Sequence, residues 1–461
     1  PTSSIMTKTR PPRWPFKCGD ILPGKVTHFA EKGVARVDLQ GVEVRMQGGV
    51  PGDKGLVRIT HTGKNAAWGV FEKIKKPSPD RVEAPCEVVS RCGGCPWQMM
   101  SVDAQRRHRM ERIQEQLSEF LDDAVRFDWA NPPEAVEYRT RAMMMAVKRR
   151  GVLGLGFYAP GTRHLIIAEN CDVQHPAVNR TLEAARKILH EEEISIYGGP
   201  KRRGLLKAVV FRLDPGVGRG LLTLVVNRWH HTLPGIAEKI GALPAVVGVF
   251  ANISNLDSGP VLGRDTKHLY GSQVQQVRYG PMVLEVGPTS FLQTHHAAAQ
   301  QLLESVGGLL PEEIKHLVDL YAGVGVFGLA FRERAKRVTL VERSSDSVRD
   351  AIRNVNRFGA KHVRVVESKA EAFMSQQAEG LAAPDAVILD PPRAGCAQGV
   401  IRSLCESEGP MRLVYISCGL DSLERDLRKL CEGGFRVTDI VPLDMFPHTP
   451  HQELVVGLRR A

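Results

Sequence analysis

Apolar and polar positions fall into three unlike patterns along the chain. Over residues 15–76, short runs such as GKVTHFA, GVARVDL, KGLVRITHTGK and WGVFEKI partly alternate apolar and polar residues and break at glycine. Period-two alternation with frequent turn residues predicts a small closed barrel. The prolines of KKPSPD mark a linker, and residues 101–122 carry the spacing of an amphipathic helix. From about 136 to 285 there are strand-like runs (RAMMMAV, LKAVVFRL, LLTLVV, MVLEVG) and one clear helix near 176–193, a mixed α+β segment. From about 287, the apolar runs HLVDLYAG, RVTLVE, HVRVVES, DAVILDPP and RLVYISC are separated by helical stretches such as SSDSVRDAIRNVNRF. Strands alternating with helices imply a parallel, doubly wound sheet. FRVTDIVPLDMFP followed by HQELVVGLRR reads as a closing antiparallel pair. The expected fold is a multidomain α/β protein, with an OB-like barrel at 15–76, a central α+β domain at 77–285 and a doubly wound domain at 286–461.

The 461 residues are 43% hydrophobic and 25% charged, enough for several cores. No apolar run approaches the roughly 18 residues of a membrane span, and PTSSIMTKTRPPRWPFK has no secretory apolar stretch. A soluble cytoplasmic protein and no membrane partner are expected. The net charge of +11 favours a polyanionic partner. Cations concentrate at Lys201, Arg202, Arg203, Lys207, Arg212, Arg219 and Arg228 against the single acid Asp214, and at Lys8, Arg10, Arg13 and Lys17.

The third pattern carries candidate chemistry. DLYAGVGVFG puts Gly323, Gly325 and Gly328 after an apolar strand and ahead of a helix, where glycine lets the backbone turn sharply and approach a ligand. Glu342 ends the next strand, 19 residues after Gly323, placed to accept ribose hydroxyls. Such a loop alone serves NAD equally well. Its late position, the preceding Asp319 and the Asp390-Pro391-Pro392 tripeptide two strands on point instead to S-adenosylmethionine. Asp390 ends the fourth strand and Cys418 the fifth, so both fall at the carboxyl edge where such sheets bind ligands.

Cysteine at that edge suggests covalent catalysis on a pyrimidine. Carbon 5 of uracil is a poor nucleophile, and thiolate addition to carbon 6 makes it electron-rich. The thiolate is the reactive form, so the site is expected to lower the Cys418 pKa. Glu453, in FPHTPHQELV, is the candidate base for the carbon 5 proton. His448 and His451 read as structural or RNA-facing. A buried apolar role is the ordinary alternative for a cysteine, and Cys18, Cys396, Cys405 and Cys431 receive no chemistry.

Cys86, Cys92 and Cys95 place three thiols within ten residues, and Cys171 is the candidate fourth. Four thiolates suit a [4Fe–4S] cluster or structural zinc, and the uneven spacing favours iron–sulfur. The spacing is not the CxxxCxxC of radical enzymes.

Together these residues resemble the bacterial uracil-5 RNA methyltransferases that carry a TRAM domain and an iron–sulfur cluster, with the nearest likeness to the 23S rRNA branch. The likeness runs from about Lys17 to Arg460, and the FLQTH segment, DLYAGVGVFG, DPPRAG, SCG and HQE stand in the family's order. It implies an RNA-binding barrel and a monomer that acts on RNA, 23S rRNA first and tRNA second. It also implies donor contacts at Gln293, Tyr321, Val326, Glu342, Lys369 and Asp390, Cys418 as nucleophile and Glu453 as base. Cys86, Cys92, Cys95 and Cys171 become the cluster ligands, and the helix after Cys95 would pack with the catalytic domain. The family usually has Asn where this chain has His295, Val326 and Gly419. A cytosine-5 methyltransferase is disfavoured because Arg393, rather than cysteine, follows the proline pair. An amino-group methyltransferase would want an aromatic there, and an inactive ribosome-assembly factor would not need Cys418, Glu453 and Glu342 together.

Overall fold

The computed structural model describes residues 14–30, 33–130, 133–198, 204–255, 260–377 and 383–460. The chain divides into two compact units, Pro1–His108 with Pro447–Pro450, and Arg109–Phe446 with His451–Ala461.

In the first unit, strands β1 (Ile21–Phe29), β2 (Ala35–Leu39), β3 (Val42–Gln47), β4 (Lys54–Thr62) and β5 (Ala67–Lys76) close into a barrel of order β1-β2-β3-β5-β4. The alternation turns Val26, Val37, Val44, Val57 and Ile59 inward, each at most 1% exposed, which a half-buried pleat requires. Asp53 anchors the following linker: its buried carboxylate accepts the Val50 and Ser78 amides at 2.7 and 2.9 Å and pairs with Arg81 at 2.7 Å. Trp97 is buried against Phe29 and donates to the Gly33 carbonyl at 2.9 Å. Trp14 stacks on Phe16, and Trp68 lies under Arg45. His448 belongs to this unit. It is 5% exposed and its backbone amide donates to the Gln105 side-chain oxygen Oε1 at 2.8 Å, a structural placement.

The second unit holds two large sheets. One has seven strands in the order β13-β12-β11-β10-β7-β8-β9, and the other eight, β18-β17-β16-β19-β20-β22-β21-β6. The labels follow the chain: β6 Arg126–Phe127, β7 Arg141–Arg149, β8 Val152–Tyr158, β9 Leu165–Ile167, β10 Leu206–Asp214, β11 Arg219–Val226, β12 Val246–Ile253 and β13 Asp265–Gly271. A two-stranded ribbon of β14 (Gln275–Tyr279) and β15 (Met282–Val286) follows. Then come β16 Ile314–Leu320, β17 Ala335–Glu342, β18 Val363–Glu367, β19 Ala386–Leu389, β20 Met411–Ser417, β21 Arg436–Leu443 and β22 Glu453–Arg460.

Strands β18, β17, β16, β19 and β20 are parallel, and β22 returns antiparallel between β20 and β21. This is a doubly wound, Rossmann-like sheet. Its central strands are fully buried, as a sheet covered on both faces demands. The helix Val102–Gln116 ends in this unit. Its Ile113, with Leu117 just beyond, shares a core with Leu423, Leu427 and Phe435. Arg109 forms a 2.9 Å ion pair with Asp444, both at most 1% exposed. The two-residue β6 then pairs with β21.

Two cations of the basic segment 201–230 do not face solvent. Lys207 and Arg212 are buried, at 8% and 5% exposure, because β10 is a central strand packed on both faces. Arg219 and Arg228 are exposed. Lys201, Arg202 and Arg203 lie outside the described residues, as do Lys8, Arg10 and Arg13.

Candidate active site

The glycine loop leaves β16 at Leu320 and turns at once. Tyr321 adopts φ +65°, and Gly323 and Gly325 have φ +56° and +89°. Glycine adopts these values without Cβ strain, whereas Tyr321 does so at a cost of order 1 kcal/mol. Gly325 caps the helix Val326–Ala330. Gly328 packs that helix onto the sheet, since a Cβ there would stand 2.2 Å from Leu340 and 3.1 Å from Asp319. Asp319 accepts the Gly328 amide at 2.8 Å, and its other oxygen is buried without a partner. Burial, with Asp390 and Glu342 nearby, pushes its carboxyl up to about 8.

Glu342, at the end of β17, is aimed back at the loop. One oxygen accepts the Gly323 amide at 3.0 Å, and the other accepts Arg343 and Ser344 amides at 2.8 and 2.7 Å. The buried Asn354 ties the loop to the ribbon, donating to the Val324 carbonyl and accepting the Glu285 amide. A cavity opens above the loop, and Gln293, Tyr321, Gly323, Val326 and Asp390 all form part of its wall. Phe291 stands 60% exposed at the same wall. Val326 offers it an apolar side chain. Lys369 is exposed and is not part of this wall.

The second half of the site lies where β19, β20 and β22 meet. Asp390 follows β19, Cys418 follows β20 and Glu453 opens β22. Arg393 joins them, and sequence reasoning used it only to exclude another chemistry. The loop 390–397 is braced by Asp426, which accepts the Cys396 amide and the Tyr415 hydroxyl, both at 2.8 Å, and by Arg425, which donates to the Ala394 carbonyl at 2.9 Å. Ser422 donates to the Arg393 and Gly419 carbonyls at 2.9 Å each. Gly419 is tightly packed here: a Cβ would approach the Arg393 oxygen to 2.6 Å.

The electrostatics differ from the sequence expectation at the thiol. Cys418 is pushed up to about 11, not lowered. Burial is the main cause, and Glu453 and Asp390 add to it. The Arg393 guanidinium opposes them by its charge and by hydrogen-bonding to the sulfur. Glu453, 2% exposed, has its pKa raised by burial and by Asp390, again against Arg393. Burial also raises Asp390, to about 7. The Cys418 thiol and the Glu453 carboxyl thus share one guanidinium beside the Asp390 carboxyl in a poorly solvated corner, and none of the three acids is easily ionised there. His451, half-buried, lies near Arg393 and is lowered by burial and by that charge.

His295, where Asn was expected, caps the helix His296–Leu309. Its Nδ1 accepts the Ala298 amide at 3.4 Å and its Nε2 donates to the Glu134 carbonyl at 3.0 Å. Stacked on Tyr138 and 1% exposed, it is held near 4 by burial and stays neutral. Cys86, Cys92 and Cys95 are half-buried, in and around the four-residue helix Val89–Cys92. Soft thiolates suit iron or zinc, but among the described residues no three metal-ligating side chains converge. No chemical step is assigned to a metal here.

Comparison with known proteins agrees with this geometry. Residues 266–461 match the family described as tRNA (Uracil-5-)-methyltransferase. An RNA methyltransferase of uncharacterised specificity from Caldanaerobacter subterraneus subsp. tengcongensis is 30% identical over 438 residues, covering 93% of this chain and 95% of the relative. Another from Halalkalibacterium halodurans is 31% identical over 435 residues, covering 92% and 93%. Among solved structures, the Pyrococcus abyssi tRNA (uracil-54, C5)-methyltransferase, in complex with S-adenosyl-L-homocysteine, superposes with a TM-score of 0.78 at 24% identity, over 95% of this chain and 99% of that one. That likeness shows a shared fold.

Proposed function

Because the chain belongs to the RNA uracil-5-methyltransferase family, we propose that it forms 5-methyluridine in RNA, using S-adenosylmethionine, with Cys418 as nucleophile and Glu453 as base. The observation that carries this is the meeting of Cys418, Glu453, Asp390 and Arg393 at one sheet edge, beside the glycine-loop cavity. S-adenosylmethionine, when bound, supplies an electrophilic methyl group. Glu342 would hold its ribose hydroxyls, the amides around Gly323 and Val326 would line its path, and Gln293, Tyr321 and Asp390 would complete the wall. Lys369 is a further candidate contact by resemblance.

The residues then divide the work. Cys418 Sγ loses its proton and bonds to carbon 6 of uracil, and the ring electrons move to carbon 5. Arg393 lowers the cost of the thiolate, because a guanidinium hydrogen bond to an anion is worth roughly 1.5–3 kcal/mol. Once carbon 5 carries the methyl group, Glu453 takes its proton. The carbon 6–sulfur bond then breaks, and its electron pair returns to sulfur. A carboxylate with a raised pKa is the better base for that step.

The target must reach this edge as an unstacked base, from a loop or by flipping. The barrel is assigned RNA contact on its exposed lysines Lys25, Lys54, Lys64, Lys73, Lys75 and Lys76, with salt-dependent affinity. A uracil of 23S rRNA is the proposed target, on the sequence resemblance. The tRNA named for the matched family and for the Pyrococcus enzyme supports the second reading. Mapping 5-methyluridine in total RNA from cells with and without the protein decides between them: loss of an rRNA site, of a tRNA site, or of neither, which refutes the activity.

Cys86, Cys92, Cys95 and Cys171 are proposed as ligands of a [4Fe–4S] cluster, supported by donor softness and by spacing. Iron and acid-labile sulfide in the purified protein, with broad absorption near ~400 nm, is the expected result. A colourless protein with stoichiometric zinc contradicts it.

A further inference from the structure

We propose that Arg141, Arg212 and Gln275 form an oxyanion subsite beside the glycine-loop cavity, for a phosphate of the RNA chain or the carboxylate of the methyl donor. The two arginines stand directly opposite each other on the antiparallel neighbours β7 and β10. Like charges in that position destabilise a sheet, and burial raises the cost of leaving them uncompensated. Neither makes an ion pair with a carboxylate among the described residues. The nearby acid Asp350 is occupied, accepting the Gly287 amide and the Ser290 hydroxyl at 2.7 Å each and pairing with Arg353 at 2.6 Å.

Bracing the chain explains only part of the arrangement. Arg212 donates its terminal nitrogens to the Gly287 and Ser290 carbonyls. Its Nε has no partner, although the residue is 95% buried. The Nε of Arg141 and the amide nitrogen of Gln275, a residue 3% exposed, are likewise buried without partners. The Gln275 oxygen is already used, accepting the Leu221 amide at 3.3 Å. All three residues line one small cavity, which shares Tyr279, Leu292 and Gln293 with the glycine-loop cavity. Three orphan donors on residues that include two cations, with no orphan acceptor among the cavity's residues, call for a ligand that only accepts and is negative. Burial is the main cause that lowers both pKa values; the Arg141 charge adds to it at Arg212, which falls to about 9 against the pull of Asp350, and the Arg139 charge adds to it at Arg141. A bound oxyanion would reverse the repulsion.

The existence of the subsite is independent of the methyl-transfer reading, while the two candidate sources of the oxyanion rest on it. The full-length protein is tested first with inorganic phosphate, at ionic strength matched by chloride. Phosphate is expected to raise the Tm of the wild type saturably, to leave Arg141→Gln unmoved, and to recover in part with Arg141→Lys. Without phosphate, Arg141→Gln melts no lower than the wild type, because it removes repulsion and no hydrogen bond. Gln275→Leu gives a second variant that adds no charge. Next, S-adenosylhomocysteine and RNA are titrated into wild type and Arg141→Gln. A loss of roughly tenfold in S-adenosylhomocysteine affinity alone identifies the donor carboxylate. A similar loss for RNA alone, with a salt slope smaller by about 1, identifies a phosphodiester. If phosphate stabilises Arg141→Gln as well as wild type and neither affinity changes, the subsite is refuted. If the phosphate response is as expected but no 5-methyluridine is made, the subsite stands and the activity falls.

Discussion

Two buried corners of the same unit carry opposite imbalances of acidic and basic groups. Around Cys418, a thiol and the Glu453 carboxyl share the guanidinium of Arg393, with the Asp390 carboxyl beside them. Around Arg212, two guanidiniums and an amide donor have no carboxylate paired with them among the described residues, and the nearby Asp350 is engaged elsewhere. Structural ion pairs elsewhere in the unit balance, as Arg109 with Asp444 does. A folded chain gains nothing in stability from uncompensated buried charge. The two imbalances therefore mark places where a ligand or a reaction completes the set: an electron-poor ring for the acid-rich corner, an oxyanion for the basic one.

The contrast is broken most severely at Glu453. Glu453→Gln keeps the shape and removes the base, so the covalent adduct with ordinary uracil RNA should form but fail to resolve. Turnover should fall about 10²–10⁴-fold, and adduct should accumulate on denaturing gels. Turnover at wild-type level would remove Glu453 from the reaction. A smaller effect is expected at Arg393→Gln, which leaves the acids of that corner without their cation. Adduct formation should slow by roughly 10–100-fold, and its pH dependence should move to higher pH. In the wild type, the thiol near 11 predicts adduct formation that still rises with pH through 8 and 9, which rapid-quench trapping at several pH values checks.

The mildest effect belongs to Asp319→Asn. Burial pushes the Asp319 carboxyl up to about 8 in the folded state, from an ordinary value of 3.8. The folded state therefore holds the proton longer, and stability is lost as pH rises from about 4 through 8. Asn should flatten the fall of Tm over that window and leave it nearly unchanged at pH 4. An unaltered Tm profile would contradict the buried, protonated carboxyl.

Much of the acid-rich corner was legible in the sequence. A strand-ending Asp before two prolines, a strand-ending Cys and a glycine loop followed by a carboxylate each declare their place, because parallel sheets deliver strand ends to one edge. The basic corner was not legible. Lys207 and Arg212 read as surface cations, since charged residues are seldom buried, and only the sheet order shows β10 to be central. The sign of the Cys418 shift was also out of reach: it depends on burial and on Glu453 arriving from β22, a distant segment. Arg393 was read for what it excluded, because its role rests on a contact across two loops. The two-residue β6 is too short for any periodicity.

The central claim is that Cys418 Sγ bonds to the pyrimidine ring. Incubating the protein with S-adenosylmethionine and RNA containing 5-fluorouracil tests it most directly, since fluorine at carbon 5 cannot leave as a proton does. Wild type should give a denaturation-stable protein–RNA adduct whose peptide carries the modified nucleotide on Cys418, and Cys418→Ala should give none. An adduct of undiminished yield with Cys418→Ala, or one mapped to another residue, would contradict the account.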